Sequence, residues 1–289
     1  MQGWRRRMED SHISELNIAK NTHIFGVFDG HGGKEVAQFV KAHFVEELLK
    51  NKSFKEGKMK KALIETFLKI DEMCVEKDYM LELKQLHKKS KEEDEKVDKS
   101  NKQNDLYSQL FNKITNDENV ALFTGCTATV CLIVGDKAYF ANAGDSRIVI
   151  GKKGVAYAMT VDHKPDLDSE KNRIYQADGF VTEGRVKGNL NLSRSLGDLE
   201  YKQNKKLKPE EQMITAFPDV VEESLKDVDL IFLGCDGIWD CKSNQEAIDF
   251  VSQRLKKDPN QKLTKILEQL MDQIIAPDIF TGKKLNFIY

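Results

Sequence analysis

The chain has no apolar run approaching the roughly 20 residues that a membrane helix needs, and its N-terminus has charge without the apolar core of a signal peptide. These absences predict a soluble, unsecreted, intracellular protein with no membrane insertion, in the cytoplasm with the nucleus left open. Cysteine is scarce. Cys74, Cys126, Cys131, Cys235 and Cys241 are odd in number and include no Cys-x-x-Cys pair, which argues against a disulfide framework or zinc knuckle and for reduced thiols. Excess charge of one sign is also missing. Lys+Arg 45 against Asp+Glu 47 leaves a net charge of −2, and Arg5-Arg6-Arg7 is too short to supply a basic face, so no nucleic-acid partner is expected. No Gly-x-Gly-x-x-Gly follows a strand and there is no P-loop, which argues against a nucleotide-binding module.

What is present is enough for a full core: 289 residues, 40% of them hydrophobic, read as one domain over residues 1–289. The chain is organised around Phe25-Gly26-Val27-Phe28-Asp29-Gly30-His31-Gly32-Gly33, where an apolar run stops on a carboxylate. A carboxylate at a strand mouth suits a hard cation such as Mg²⁺ or Mn²⁺, which takes oxygen ligands and tolerates water in its other positions. His31 adds a proton donor near neutral pH. Asp-Gly by itself is first of all a turn dipeptide. A second apolar run, Val228 to Cys235, ends the same way on Asp236-Gly237-Ile238-Trp239-Asp240. If the two runs are neighbours in a sheet, Asp29 and Asp236 converge on one ion site.

Between these points, Ile13 to Ile18 and His23 to Phe28 read as strands joined by Ala19-Lys20-Asn21-Thr22, which brings Glu9 and Asp10 beside Asp29. Val36, Ala37, Val40, Phe44 and Leu48, then Met59, Leu63, Phe67 and Ile70, recur at helical spacing. From Lys84 to Asn104 the text is charged and aperiodic, a solvated low-complexity insert to which no structure is assigned. Cys126 to Val134 and Lys137 to Ala141 flank Gly135-Asp136, a type II′ hairpin signal, and Ile148 to Ile150 is followed by a turn over residues 151–154. A short helix near Ser169 to Ala177 ends with glycine at Asp178-Gly179. Ser243 with Glu246 forms a capping box for a helix burying Ile248, Val251 and Leu255. A last helix carries Leu263, Ile266, Leu267, Leu270 and Ile274. The serines of Ser193-Arg194-Ser195-Leu196-Gly197-Asp198 receive no catalytic role, because no His-Asp pair is positioned by sequence to activate them.

Gln2-Gly3-Trp4-Arg5 through Met8-Glu9-Asp10, Val27 to Gly33, Gly125-Cys126-Thr127-Ala128, Gly144-Asp145-Ser146-Arg147, Asp162-His163-Lys164-Pro165, Ser193 to Asp198 and Cys235 to Asp240 together resemble the metal-dependent protein phosphatases of type 2C, in order and spacing from about residue 2 to 275. The resemblance implies an α+β fold: a four-layer α-β-β-α sandwich of two antiparallel sheets flanked by helix pairs, with metals in a cleft at one end. It implies hydrolysis of phosphoserine and phosphothreonine in phosphorylated proteins by water, in a monomer. By the same matching, Asp29 bridges two Mg²⁺ or Mn²⁺ ions, Asp236 holds one and the Gly30 carbonyl helps hold the other. Glu9 and Asp10 act through coordinated waters. Arg5 grips the phosphate, His31 protonates the leaving oxygen, and Asp145 and Asp240 join Asp236 around a weaker third ion. The segment from about Pro165 to Arg185 resembles the family's flap, which borders the cleft and influences substrate choice.

The resemblance has departures. One or two strands usually precede the first motif, so a sheet edge is expected to be missing or exposed. At the C-terminus, Leu285 stands where the family has a metal-binding aspartate, with Asp278 nearby, and the final strand is missing. This departure carries an alternative, a catalytically impaired relative that binds phosphoproteins without turnover, and with it the expectation of reduced activity.

Overall fold

A computed structural model describes residues 2, 3, 5, 7–97 and 119–275. The opening hairpin pairs β1 (Ser11–Ala19) with β2 (Thr22–Phe28), from Ser11 opposite Phe28 to Ala19 opposite Thr22. The connection narrows from the expected four residues to Lys20-Asn21, with Asn21 at φ +50, a conformation that asparagine tolerates. Alternate β2 residues Ile24 and Phe28 are fully buried on one face, while Phe25 points to the other. After β3 (Gly30–His31) and β4 (Gly125–Cys126), β5 (Ala128–Val134) and β6 (Lys137–Ala143) form the second hairpin. Its Gly135 is at φ +62 and Asp136 is not in the left-handed region, as the type II′ reading requires. β7 (Arg147–Lys152) and β8 (Val155–Ala158) turn through Lys153-Gly154, at φ +50 and +83, so that turn also shortens to two residues. The small hairpin of β9 (Val181–Thr182) and β10 (Arg185–Val186) and the strand β11 (Leu196–Gly197) follow. β12 (Asp219–Ser224), too charged to announce itself in the sequence, closes a five-stranded antiparallel sheet in the order β1-β2-β5-β6-β12. β13 (Val228–Gly234) joins a second antiparallel sheet in the order β13-β7-β8.

The helices fall on both sheets. α1 (Glu35–Lys50), the single turn α2 (Lys52–Lys55) and α3 (Met59–Met73) follow the predicted stripes. Val36, Val40, Phe44, Leu48, Leu63, Phe67 and Ile70 are fully buried in one core with Ile24, Phe28, Val130 and Leu132 of the first sheet. Phe44 and Phe67 meet edge to face with centroids 5.3 Å apart, a geometry that adds about 0.5–1.5 kcal/mol to the area buried. The helices Asn244–Lys257 and Leu263–Ile274 bury Ile248, Val251, Ile266 and Leu270 against Val149 and Phe232 of the second sheet and Trp239 of the short helix Asp236–Trp239 that follows it. Leu263 and Leu267 do not belong to that stripe and are 54% and 39% exposed. Cys131, Phe140, Ile148 and Ile150 form a third core that joins residues of the two sheets. The result is a mixed α/β fold built on antiparallel sheets.

Two local expectations change. The charged segment is helical as far as it is described: α4 (Lys77–Val97) runs into the predicted insert, whose remainder to Asn104 lies outside the described residues. Tyr79, Leu83 and Leu86 supply its packing face, and His87 Nδ1 to Glu35 (2.8 Å) with His43 Nε2 to Glu82 (2.9 Å) tie it to α1. The charge that hid the helix covers its solvent side. The helix Asp168–Gln176 ends with Asp178, at φ +61, in the left-handed position expected of Gly179. The Gly179 amide then donates back to the Ile174 carbonyl at 2.8 Å.

Candidate active site

The site is built on a small three-stranded sheet, β11-β4-β3, whose strands are two residues each. His31, Gly125 and Gly197 stand in one register across it, with Gly125 in the middle. A Cβ on Gly125 would lie 2.3 Å from Asp198 Oδ2 and 2.7 Å from His31 Nε2. The missing side chain is therefore what lets His31 and Asp198 meet over the central strand, Nε2 to Oδ2 at 2.7 Å. Asp198 is buried and also accepts from the Ser195 hydroxyl. Burial works against a charged imidazole at His31, but the Asp198 carboxylate, with Asp145 and Glu9 beyond it, outweighs burial and raises the His31 pKa. Burial likewise works against ionised Asp198, and His31, Ser195 and Lys202 together hold its pKa below the ordinary carboxylate value.

Asp29 leaves the end of β2 with its backbone fixed. Its amide donates to Thr127 Oγ1 at 3.2 Å, and its carbonyl accepts from the Thr127 amide at 2.9 Å. Asp10 precedes Ser11, the residue paired with Phe28, so the two acids lie side by side and their carboxyl groups hydrogen-bond. The expected neighbour relation of Asp29 and Asp236 takes a different form. β2 and β13 belong to different sheets that pack against each other, and the two carboxylates converge across that junction. One ligand atom each from Asp29, Cys235 and Asp236 lies within 4.8 Å of the others. Gly30 sits so close to the segment leading into β1 that a Cβ there would be 2.3 Å from the Glu9 carbonyl oxygen.

The electrostatics is that of acids crowded together and repelling one another. Burial, then repulsion from Asp10, Asp236 and Asp145, drives the Asp29 pKa far up. Asp10 is pushed to about 6, mainly by burial. Asp236 rises to about 7 through burial and repulsion from Asp145 and Asp240. Glu9 is raised by burial, against the pull of Arg7 and Arg5. Asp10 Oδ1 and Asp236 Oδ1 are buried and have no hydrogen-bond partner. Carboxylates that repel one another with orphaned oxygens fit a divalent cation, and an all-oxygen donor set fits a hard one such as Mg²⁺ or Mn²⁺. Cys235 does not soften the set. Burial and the charges of Asp29, Asp10 and Asp236 keep it a neutral thiol, and it donates weakly to Asp10 Oδ2 at 3.9 Å.

Of the remaining predicted residues, Asp145 is buried and ion-paired with Lys164, which also faces Asp236 and Asp240. Asp240 lies one helical turn beyond Asp236 and is exposed, its amide donating to the Asp236 carbonyl at 2.8 Å. The charge of Arg5 reaches Glu9 and Asp10, and its backbone carbonyl accepts from Gln2 Nε2 at 2.8 Å. Trp4, Arg6, Asp278 and Leu285 lie outside the described residues. Sequence reasoning missed Asp198, Lys164 and Gly125 as parts of the site. Each stood in a recognised motif, but the partner is 167 residues away for Asp198 and 19 for Lys164, and chain spacing does not show such pairings. Among the described residues no helix is long and apolar enough to cross a membrane.

The family profile described as "Protein phosphatase 2C" matches residues 1–88 and 80–279. The chain is 46% identical over 283 residues to "Probable protein phosphatase 2C 6" of Paramecium tetraurelia, covering 98% of this chain and 86% of that protein. It is 42% identical over 291 residues to "Probable protein phosphatase 2C 21" of Arabidopsis thaliana, covering 98% and 81%. Its fold is similar to a crystal structure of "serine-threonine phosphatase 2C from Toxoplasma gondii", with a TM-score of 0.68 at 18% identity over 94% of this chain and 86% of that one. With a profile match over both halves and these relatives spanning nearly its whole length, the chain belongs to the protein phosphatase 2C family, whose members depend on metal.

Proposed function

We propose that this serine/threonine protein phosphatase hydrolyses phosphoserine and phosphothreonine in protein substrates at the cluster of Asp10, Asp29 and Asp236 beside the His31–Asp198 pair. One observation carries the reading: three acids, Asp29 buried and Asp10 and Asp236 half-buried, converge with two buried, orphaned oxygens next to the His31–Asp198 pair. Asp29 and Asp236 with the Gly30 carbonyl would hold two Mg²⁺ or Mn²⁺ ions, with Glu9 and Asp10 acting through water. Asp145, Asp236 and Asp240 would hold a weaker third ion once Lys164 gives up Asp145. When bound, such ions supply Lewis-acid stabilisation of the phosphoryl oxygens and acidify water.

The chain's own residues do the rest. Arg5 binds the phosphate through its planar donors and turns it toward the acid cluster. His31, with Nε2 held by Asp198, carries a proton on Nδ1 to the departing serine or threonine oxygen, which as an alkoxide is a poor leaving group. Asp198 keeps the imidazole oriented and charged between turnovers. The segment 165–185 borders the cleft and contributes to substrate choice. The two sheets and their helices are read as a four-layer sandwich in one domain, active as a monomer. The five cysteines, none in a disulfide, support an intracellular setting.

The impaired-relative reading is not favoured by relatives that match 98% of the chain and carry phosphatase names. The test is phosphate release from a phosphothreonine peptide with added Mn²⁺, with EDTA, and in Asp29→Ala. Activity is expected to require the ion and to vanish in the variant. Turnover that survives either treatment would overturn the reading.

A further inference from the structure

The loop that carries Asp198 is held in an unfavourable shape. Gly197 is at φ +77 and Asp198 at φ +49, two successive residues in the left-handed region. For aspartate that conformation costs about 1–2 kcal/mol and persists only where surrounding contacts over-determine it. One contact is the Asp198 amide donating to the Thr124 carbonyl at 3.0 Å. The others come from behind the loop. Asp71, on α3, accepts from the Gly197 amide at 2.8 Å. Lys202, just past the turn Leu199–Tyr201, donates to the same Asp71 oxygen at 2.8 Å and to the Ser195 carbonyl at 2.7 Å. The side chains of Lys202 and Asp71 are only 6% and 15% exposed. A pair this secluded gains little as a surface ion pair would, and breaking one side of it is expensive. Its contacts are all spent on both flanks of the residue that bears Asp198.

From this geometry we infer that Asp71 and Lys202 are positioning residues for proton donation. They clamp the Ser195–Gly197 backbone so that Asp198 meets His31, and through His31 they set the rate of leaving-group protonation. The inference rests on the general-acid role given to His31 above. Among the described residues neither side chain hydrogen-bonds to Asp10, Asp29 or Asp236; Asp71 holds the Gly197 amide, Lys202 the Ser195 carbonyl, and the Ser195 hydroxyl donates to Asp198. A general acid displaced by about 1 Å loses on the order of 10²-fold in rate. The loss falls on substrates whose leaving group needs a proton.

The experiment compares a phosphothreonine peptide with p-nitrophenyl phosphate, whose phenolate leaves without help. Wild type, Lys202→Met, Lys202→Arg, the double variant Asp71→Asn/Lys202→Gln, and His31→Gln are assayed at saturating Mn²⁺, and each melting temperature is recorded. Lys202→Met is expected to lower the peptide rate on the order of 10-fold or more relative to the p-nitrophenyl phosphate rate. Lys202→Arg keeps both donors and has room in the cavity of about 460 Å³ that Lys202 lines, so it should restore most of the ratio. The double variant removes both charges without stranding either, so it should fold even where Lys202→Met does not, and it should show the same selective loss. Equal losses on the two substrates in the double variant or in folded Lys202→Met, while His31→Gln is selective, would overturn the positioning role and leave the general-acid reading standing. If His31→Gln is itself unselective, the general acid fails and this inference fails with it.

Discussion

Replacing Asp236 by Asn should stabilise the metal-free protein while destroying its activity. The half-buried carboxyl of Asp236 is pushed from the ordinary 3.8 to about 7 by desolvation and by Asp145 and Asp240. A rise of about 3 in pKa, at about 1.4 kcal/mol each, amounts to about 4 kcal/mol against the ionised fold. Protonation of Asp29 or Asp10 relieves part of that repulsion, so the expected gain from Asn is about half, near 2 kcal/mol. The sign follows from proton uptake. Between about pH 4 and 7 the folded state holds a proton that the unfolded state releases, so this site lowers stability as pH rises through that window. The gain should therefore be full at pH 8 and mostly gone by pH 4.5. Glu170 and Asp198, whose pKa values are lowered by their partners, lose stability in acid, but they do so equally in both proteins and cancel in the difference. Urea or thermal unfolding in EDTA across that range reads the effect, on the order of 4 °C at pH 8 for a chain of this size. The reasoning is refuted if Asp236→Asn is no more stable than wild type at pH 8, or if its advantage is the same at pH 4.5.

Three further outcomes follow from other contacts. Gly125→Ala should lower phosphopeptide turnover at least 10-fold, because its methyl would sit between His31 and Asp198; wild-type turnover would show that the central strand moves aside without cost. Lys164→Met removes the cation beside Asp145 and should lower the stability of the metal-free protein by about 1 kcal/mol once screening of this 42% exposed side chain is allowed for, read as a lower melting temperature. That is the opposite sign to Asp236→Asn, and a rise would contradict the acid-cluster account. Ser243→Ala removes the capping box of the helix Asn244–Lys257 and should cost about 1 kcal/mol of stability at unchanged kcat/KM; an altered kcat/KM would tie that helix to the site.

Features that depend on local period and local chemistry were readable from residue order alone. Strands β2, β5 and β13, helices α1 and α3, the Gly135-Asp136 turn and the Ser243 capping box were legible because alternation, helical spacing and turn residues act over a few neighbours. The motifs around Asp29 and Asp236 were legible because an apolar run that stops on an acid marks a strand mouth. Helix α4 was hidden because its charged face outweighs the stripe of Tyr79, Leu83 and Leu86, and β12 because an edge strand facing solvent carries no alternation. Only the tertiary structure decided that Asp29 and Asp236 meet across two sheets rather than within one. It alone put Lys164 beside Asp145, and it alone brought His31 and Asp198 together over a glycine contributed by a third segment. The physical reason is the same in each case. A pair separated by 167 residues is fixed by the register and packing of other strands, and register is a property of which strands end up side by side, which no local pattern contains.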